Sequence, residues 1–79
     1  MNIIILKFAE RFLERQPKKQ KVRFLVAIYR LPEGDVKPVK NSDGVFRLRV
    51  GDYRVFFHID EEDNTIYVRE IKPRGDAYK

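Results

Sequence analysis

The chain has 79 residues, enough for one compact domain and not for two, so residues 1–79 read as a single domain. Lysine and arginine number 17 against 12 acidic residues, a formal net charge of +5. That balance favours an anionic partner, whether nucleic acid, an acidic protein segment or a membrane surface, without choosing among them.

Cysteine is absent, which excludes disulfides and thiolate metal sites and suits a reducing cytoplasm. The apolar run Ile3-Ile4-Ile5-Leu6 is too short for a signal-peptide core or a membrane span. The expectation is a soluble cytoplasmic protein with no membrane partner.

In chain order, residues 2 to 6 are apolar and β-branched and predict a short strand. KFAERFLERQ follows, with Phe8, Phe12 and Leu13 at helical spacing between charges. Pro17 ends that helix and suits the first turn of the next. A second helix over about 18 to 30 repeats Val22, Leu25, Ile28 and Tyr29 on one face, with Lys18, Lys19, Lys21 and Arg23 mainly on the other. The lysines read as a solvated face. The segment LPEGDVKPVKNSDG (31 to 44) is dense in Pro, Gly, Asn and Asp and predicts a loop.

The period then changes to two. Phe46, Leu48 and Val50 alternate with Arg47 and Arg49; after Gly51-Asp52, Tyr53, Val55, Phe57 and Ile59 alternate with Arg54, Phe56 and His58. EEDN (61 to 64) predicts a turn into a last strand, TIYVREI. The order β-α-α-β-β-β predicts an α+β fold, a helical hairpin packed on an antiparallel sheet.

Gly51-Asp52 suits a type II′ turn with glycine first. The register then follows: Val50 faces Tyr53, Leu48 faces Val55 and Phe46 faces Phe57 on the side that meets the helices. On the other side Arg49 sits across from Arg54 and Arg47 across from Phe56, with His58 further along. Like charges directly opposed on a sheet are destabilising. Either the face is a solvated basic surface with acidic neighbours, or a polyanion occupies it, phosphate oxygens held by guanidinium forks and a base stacked on a nearby ring. Phe56 could stack so, although filling a gap between strands explains it as well.

RLRVGDYRVFF, together with the terminal KPRGDAYK and the preceding helical hairpin, resembles the RelE/ParE family of toxins from bacterial and archaeal toxin–antitoxin pairs, over essentially the whole chain. The resemblance implies a type II toxin held inactive by a cognate antitoxin wrapped around it. The complex binds operator DNA mostly through the antitoxin. The RelE-like branch cleaves mRNA in the ribosomal A site without metal or other cofactor: the 2′-hydroxyl attacks the adjacent phosphate, leaving a cyclic phosphate and a free 5′-hydroxyl. The ParE-like branch inhibits DNA gyrase and generally lacks the catalytic basic set.

Carried over by position, Arg47 and Arg49 match the basic residues before the turn, and Arg54 matches the arginine that contacts the scissile phosphate. Arg74 matches the basic residue of the tail and Tyr78 the tyrosine that stacks on a base. Arginine stands here where the family also uses lysine, and arginine keeps its proton at ordinary pH, which suits a clamp and not a base. Proton transfer then falls to His58, Lys72 or Tyr78. The expected function is a ribosome-dependent mRNA endoribonuclease; the alternatives are a gyrase inhibitor and a degenerate basic binding module.

Overall fold

The structure, a computed structural model, describes residues 1–74. Strand β1 (Asn2–Ile5) leads into helices α1 (Lys7–Glu14) and α2 (Lys18–Tyr29), followed by strands β2 (Val36–Pro38), β3 (Val45–Val50), β4 (Tyr53–Asp60) and β5 (Thr65–Pro73). The strands form one sheet in the order β1-β5-β4-β3-β2. The α+β class and the order of helices and main strands are as the sequence predicts.

Two features go beyond that reading. β2 lies inside the segment expected to be only loop, where Val36, Lys37 and Pro38 pair with Leu48, Arg47 and Phe46. A proline is tolerated there because β2 is an edge strand. β1 joins the sheet parallel to β5, Asn2 to Thr65 through Ile5 to Val68, so the sheet is mixed.

The β3–β4 register is the one the turn predicts, with Arg49 opposite Arg54 and Arg47 opposite Phe56. Gly51 takes φ +58° and Asp52 does not adopt positive φ, as a type II′ turn requires. Between β4 and β5 the pairing shifts by one: Phe56 faces Glu70, but Phe57 faces Val68. The extra residue, Arg69, is a bulge that resets the alternation. It lets Ile71 and Val68, three apart, both enter the core.

The helices cover one side of the sheet. Ala9 and Leu13 of α1 and Phe24 and Ile28 of α2 close over Leu48, Val50, Val55, Phe57, Ile66, Val68 and Ile71. Phe24 is fully buried at the centre, edge-on to Phe12 and Tyr53 with ring centroids 5.5 and 5.2 Å away. Here the helical faces differ from the sequence reading. Val22 and Tyr29 are 50 % and 60 % exposed, and Phe24 takes the inward place. From Phe24 to Tyr29, α2 is apolar on every side, so its spacing alone supports more than one inward face; the rings of Phe12 and Tyr53 select Phe24. Phe8 is also outside, 73 % exposed, while Ala9 is buried. Pro17 is the residue that caps α2, one position before its first turn. Lys18, Lys19 and Lys21 sit in that first turn, in the helical layer behind the sheet.

Candidate anion-binding face

The side of the sheet away from the helices carries the candidate residues in rows fixed by register. Across one row run Arg49 on β3, Arg54 on β4 and Lys72 on β5. The next holds Lys37 on β2, Arg47, Phe56 and Glu70. The third holds Val45, His58, Tyr67 and Ile4.

Arg54 is on the central strand and only 4 % exposed. With Arg47, Phe56, Lys37, Pro38 and Lys40 it lines a groove of about 430 Å³, whose outer wall is β2. The chain therefore brings Arg47, Arg54 and Phe56 together. Arg49, half exposed, stands directly opposite Arg54 in the same row, outside the groove lining.

Asp35, just before β2, tempers this charge. Its carboxylate lies 3.5 Å from Arg47 Nη1 and 3.9 Å from Arg49 Nε. Its carbonyl accepts hydrogen bonds from Arg47 Nη1 at 3.2 Å and from the Arg49 backbone N–H at 3.0 Å. Acidic neighbours of the arginines thus exist, and cations still predominate on the face. Lys72 reaches the Glu70 carboxylate at 3.7 Å. Arg74 begins at the same end of the sheet, its backbone N–H donating to the Asp52 carbonyl at 2.8 Å. Tyr78 lies outside the described residues.

His58 shares the face but not the groove. Four residues of extended strand put it about 13 Å along β4 from Arg54. Its ring stacks on Tyr67, centroids 5.1 Å apart. The Tyr67 hydroxyl donates to Asp63 at 3.3 Å. Desolvation beside the neighbouring strands, with the negative charges of Asp63 and Asp60, pushes the Tyr67 phenol above its ordinary value. It is a neutral donor at any ordinary pH. Lys72, by contrast, is the immediate cross-strand partner of Arg54.

Lys37, Lys40, Asp35 and Tyr67 escaped the sequence reading. Tyr67 alternates in step with His58 once the β4–β5 turn is placed. The first three needed β2, whose three residues give no usable period. Among the described residues no cluster of three or more His, Asp or Glu side chains could hold a metal ion, and no described helix is long and apolar enough to cross a membrane.

Chemically, the face can hold a phosphate between guanidinium groups, present an aromatic ring beside it and offer an amine in the adjacent strand position. Fold and groove define a class: a small basic α+β protein whose uncovered sheet face is rich in cations. Comparison with known proteins narrows the class. Residues 3–78 match the sequence model of the ParE toxin of type II toxin–antitoxin systems, parDE. The chain belongs to the RelE/ParE family of toxins.

Its fold superposes on the RelE–RelB complex from Pyrococcus horikoshii OT3 with TM-score 0.74 and 30 % identity, covering 94 % of each chain. The RelBE2 toxin–antitoxin complex of Mycobacterium tuberculosis gives TM-score 0.79 at 24 % identity, over 92 % of this chain and 96 % of that one, a likeness of fold. In sequence, 45 residues are 42 % identical to RelE1 of Methanocaldococcus jannaschii. That match takes in 57 % of this chain and only 50 % of the relative's length.

Proposed function

We propose that this chain is the toxin of a type II toxin–antitoxin pair and a ribosome-dependent mRNA endoribonuclease, neutralised in the cytoplasm by a cognate antitoxin. The observation that carries this reading is the placement of Arg47, Arg54 and Phe56 around one groove, with Arg49 and Lys72 in the row through Arg54.

In the proposed reaction a 2′-oxygen bonds to the adjacent phosphorus as its proton passes to a base. The bond from phosphorus to the 5′-oxygen breaks, and that oxygen takes a proton. Charge builds on the phosphoryl oxygens, and fixed cations there lower the barrier. Arg54 and Arg47 are the clamp on those oxygens, with Arg49 adding to the field. Phe56 packs beside the bound nucleotide. Proton transfer needs a group that can change its charge within reach of the phosphorus. Lys72 has the position for it and His58, about 13 Å along the strand, does not. Arg74 and Tyr78 are assigned to the site by resemblance alone.

Mapping new mRNA 5′-ends after brief induction tests the reading. Cuts clustered within translated codons, and absent with Arg54→Ala, are expected. Intact mRNA alongside growth arrest would favour a second reading, inhibition of DNA gyrase with the basic face as a protein dock. Two observations favour that rival: the matching sequence model is that of the ParE toxin, and Asp35 engages both Arg47 and Arg49.

A further inference from the structure

β1 accompanies β5 only from Thr65 to Val68. At Leu6, whose N–H donates to the Val68 carbonyl at 2.8 Å, the chain turns away into α1. From Arg69 to Pro73, β5 is flanked by β4 on one side and, among the described residues, by no strand on the other. α1 runs along that open side. Phe8, Arg11, Phe12 and Arg15 recur at spacings of three and four, which places them on one face of the helix. With Glu70 and Lys72 they line a second groove, of about 420 Å³.

Phe12 is tied inward by edge contacts to Phe24 and Tyr53, both at 5.5 Å. Phe8 is not; it is 73 % exposed. A single exposed apolar residue is unremarkable in itself. Here it stands in a groove with two exposed arginines one turn and two turns along the same helix. Lys72 belongs both to this groove and to the Arg49–Arg54 row, and adjacent strands lie only about 4.8 Å apart. Basic surface is therefore continuous from the candidate site across β5 to α1. Glu70 is the acidic residue in the groove, and it already faces Lys72 at 3.7 Å.

We infer that the α1–β5 groove is a second nucleotide subsite, in which single-stranded RNA leaving the Arg54 site lays a phosphate against Arg11 and Arg15 and stacks a base on Phe8. Guanidinium forks match phosphate oxygens, and an exposed ring accepts any base face. The inference rests on the RNA-cleavage reading and extends it: cleavage would depend on nucleotides flanking the cut as well as on the cut phosphate.

Fluorescence anisotropy with 2′-O-methyl RNA, which cannot be cleaved by its own 2′-oxygen, tests it. Two lengths serve as probes, roughly three nucleotides, enough for the Arg54 site alone, and roughly eight, within the span of about 4–16 that one small domain covers. The unaltered protein should bind the longer RNA more tightly. The Arg11→Ala/Arg15→Ala variant should lose that gain and bind both alike, and its log–log salt slope on the longer RNA should fall by about 0.7, the value for one phosphate contact. Phe8→Ala should weaken only the longer RNA, by about tenfold. All three side chains are exposed, so the variants should fold, and thermal melts are the control.

Retention of the length gain in the arginine variant overturns the subsite while leaving the primary reading intact, provided the short RNA still needs Arg54. Short RNA that binds no more weakly to Arg54→Ala overturns both. If the variants instead lose capture by a co-expressed antitoxin and keep the length gain, the groove is a protein dock and the inference fails.

Discussion

Replacing Gly51 by alanine acts on the turn that sets the register of the arginine face. Gly51 sits at φ +58°, and a Cβ there would come within 2.8 Å of Arg23 Nη2. Left-handed backbone costs an L-residue about 1–2 kcal/mol. Displacing the Arg23 guanidinium adds about 0.5–1 kcal/mol, because the far end of a flexible side chain can move aside by changing rotamer. The sum is about 2 kcal/mol, against a total of about 4–12 kcal/mol for a domain of this length. At about 4–8 °C per kcal/mol, the melting temperature should fall by about 8–16 °C.

Calorimetric melts of Gly51→Ala, Arg23→Ala and the double variant separate the two contributions. In the Arg23→Ala background the Gly51→Ala penalty should shrink by about 0.5–1 kcal/mol, leaving the backbone part. A one-residue slip would carry Arg47 and Arg49 into the core and Leu48 and Val50 out of it, so the register itself should survive. An unchanged melting temperature in Gly51→Ala would refute the left-handed turn, and zero coupling would refute the Arg23 contact.

Phe24→Ala empties the centre of the helix–sheet interface and should cost about 3–5 kcal/mol, lowering the melting temperature by at least about 12 °C by circular dichroism. A partner that binds only the folded state should raise it again, and an unchanged melting temperature would contradict the central role of that ring. Asp35→Asn removes the carboxylate beside Arg47 and Arg49 but keeps the backbone bonds. Stability should fall by less than about 1 kcal/mol. Affinity for short RNA should rise, most at low salt, and an unchanged affinity by anisotropy would show that Asp35 does not compete with phosphate. The raised Tyr67 phenol holds its proton in the folded state where the unfolded chain has lost it. Its contribution to stability is complete below pH about 10 and disappears as pH rises through the folded value. Tyr67→Phe should remove a phenolate absorbance component titrating above 10 and flatten the loss of stability there. The same titration in both proteins would count against the Asp63 contact.

The arginine face was legible in the sequence because hairpin geometry is local. Period-two alternation tells which residues share a side, and Gly51-Asp52 fixes which residues oppose each other, so Arg49 against Arg54 follows without the rest of the fold. The pairing of Lys72 with Arg54 was not legible. It depends on where the β4–β5 turn begins and on the bulge at Arg69.

Length, charge, helix positions and the β3–β4 register were therefore settled by the sequence alone, since each rests on backbone periodicity or on a turn residue a few positions away. Tertiary structure decided which faces point inward and what stands beside the arginines. Phe24 displaces Val22 and Tyr29 from the core because two aromatic rings on other elements receive it edge-on. β2 forms because β3 offers it an edge, and in forming it brings Lys37 and Asp35 to the groove. β1 stops at Ile5, opposite Val68, so Phe8, Arg11 and Arg15 line an open side of β5 instead of covering a neighbouring strand. These outcomes depend on contacts between segments far apart in the chain, and no local period encodes them.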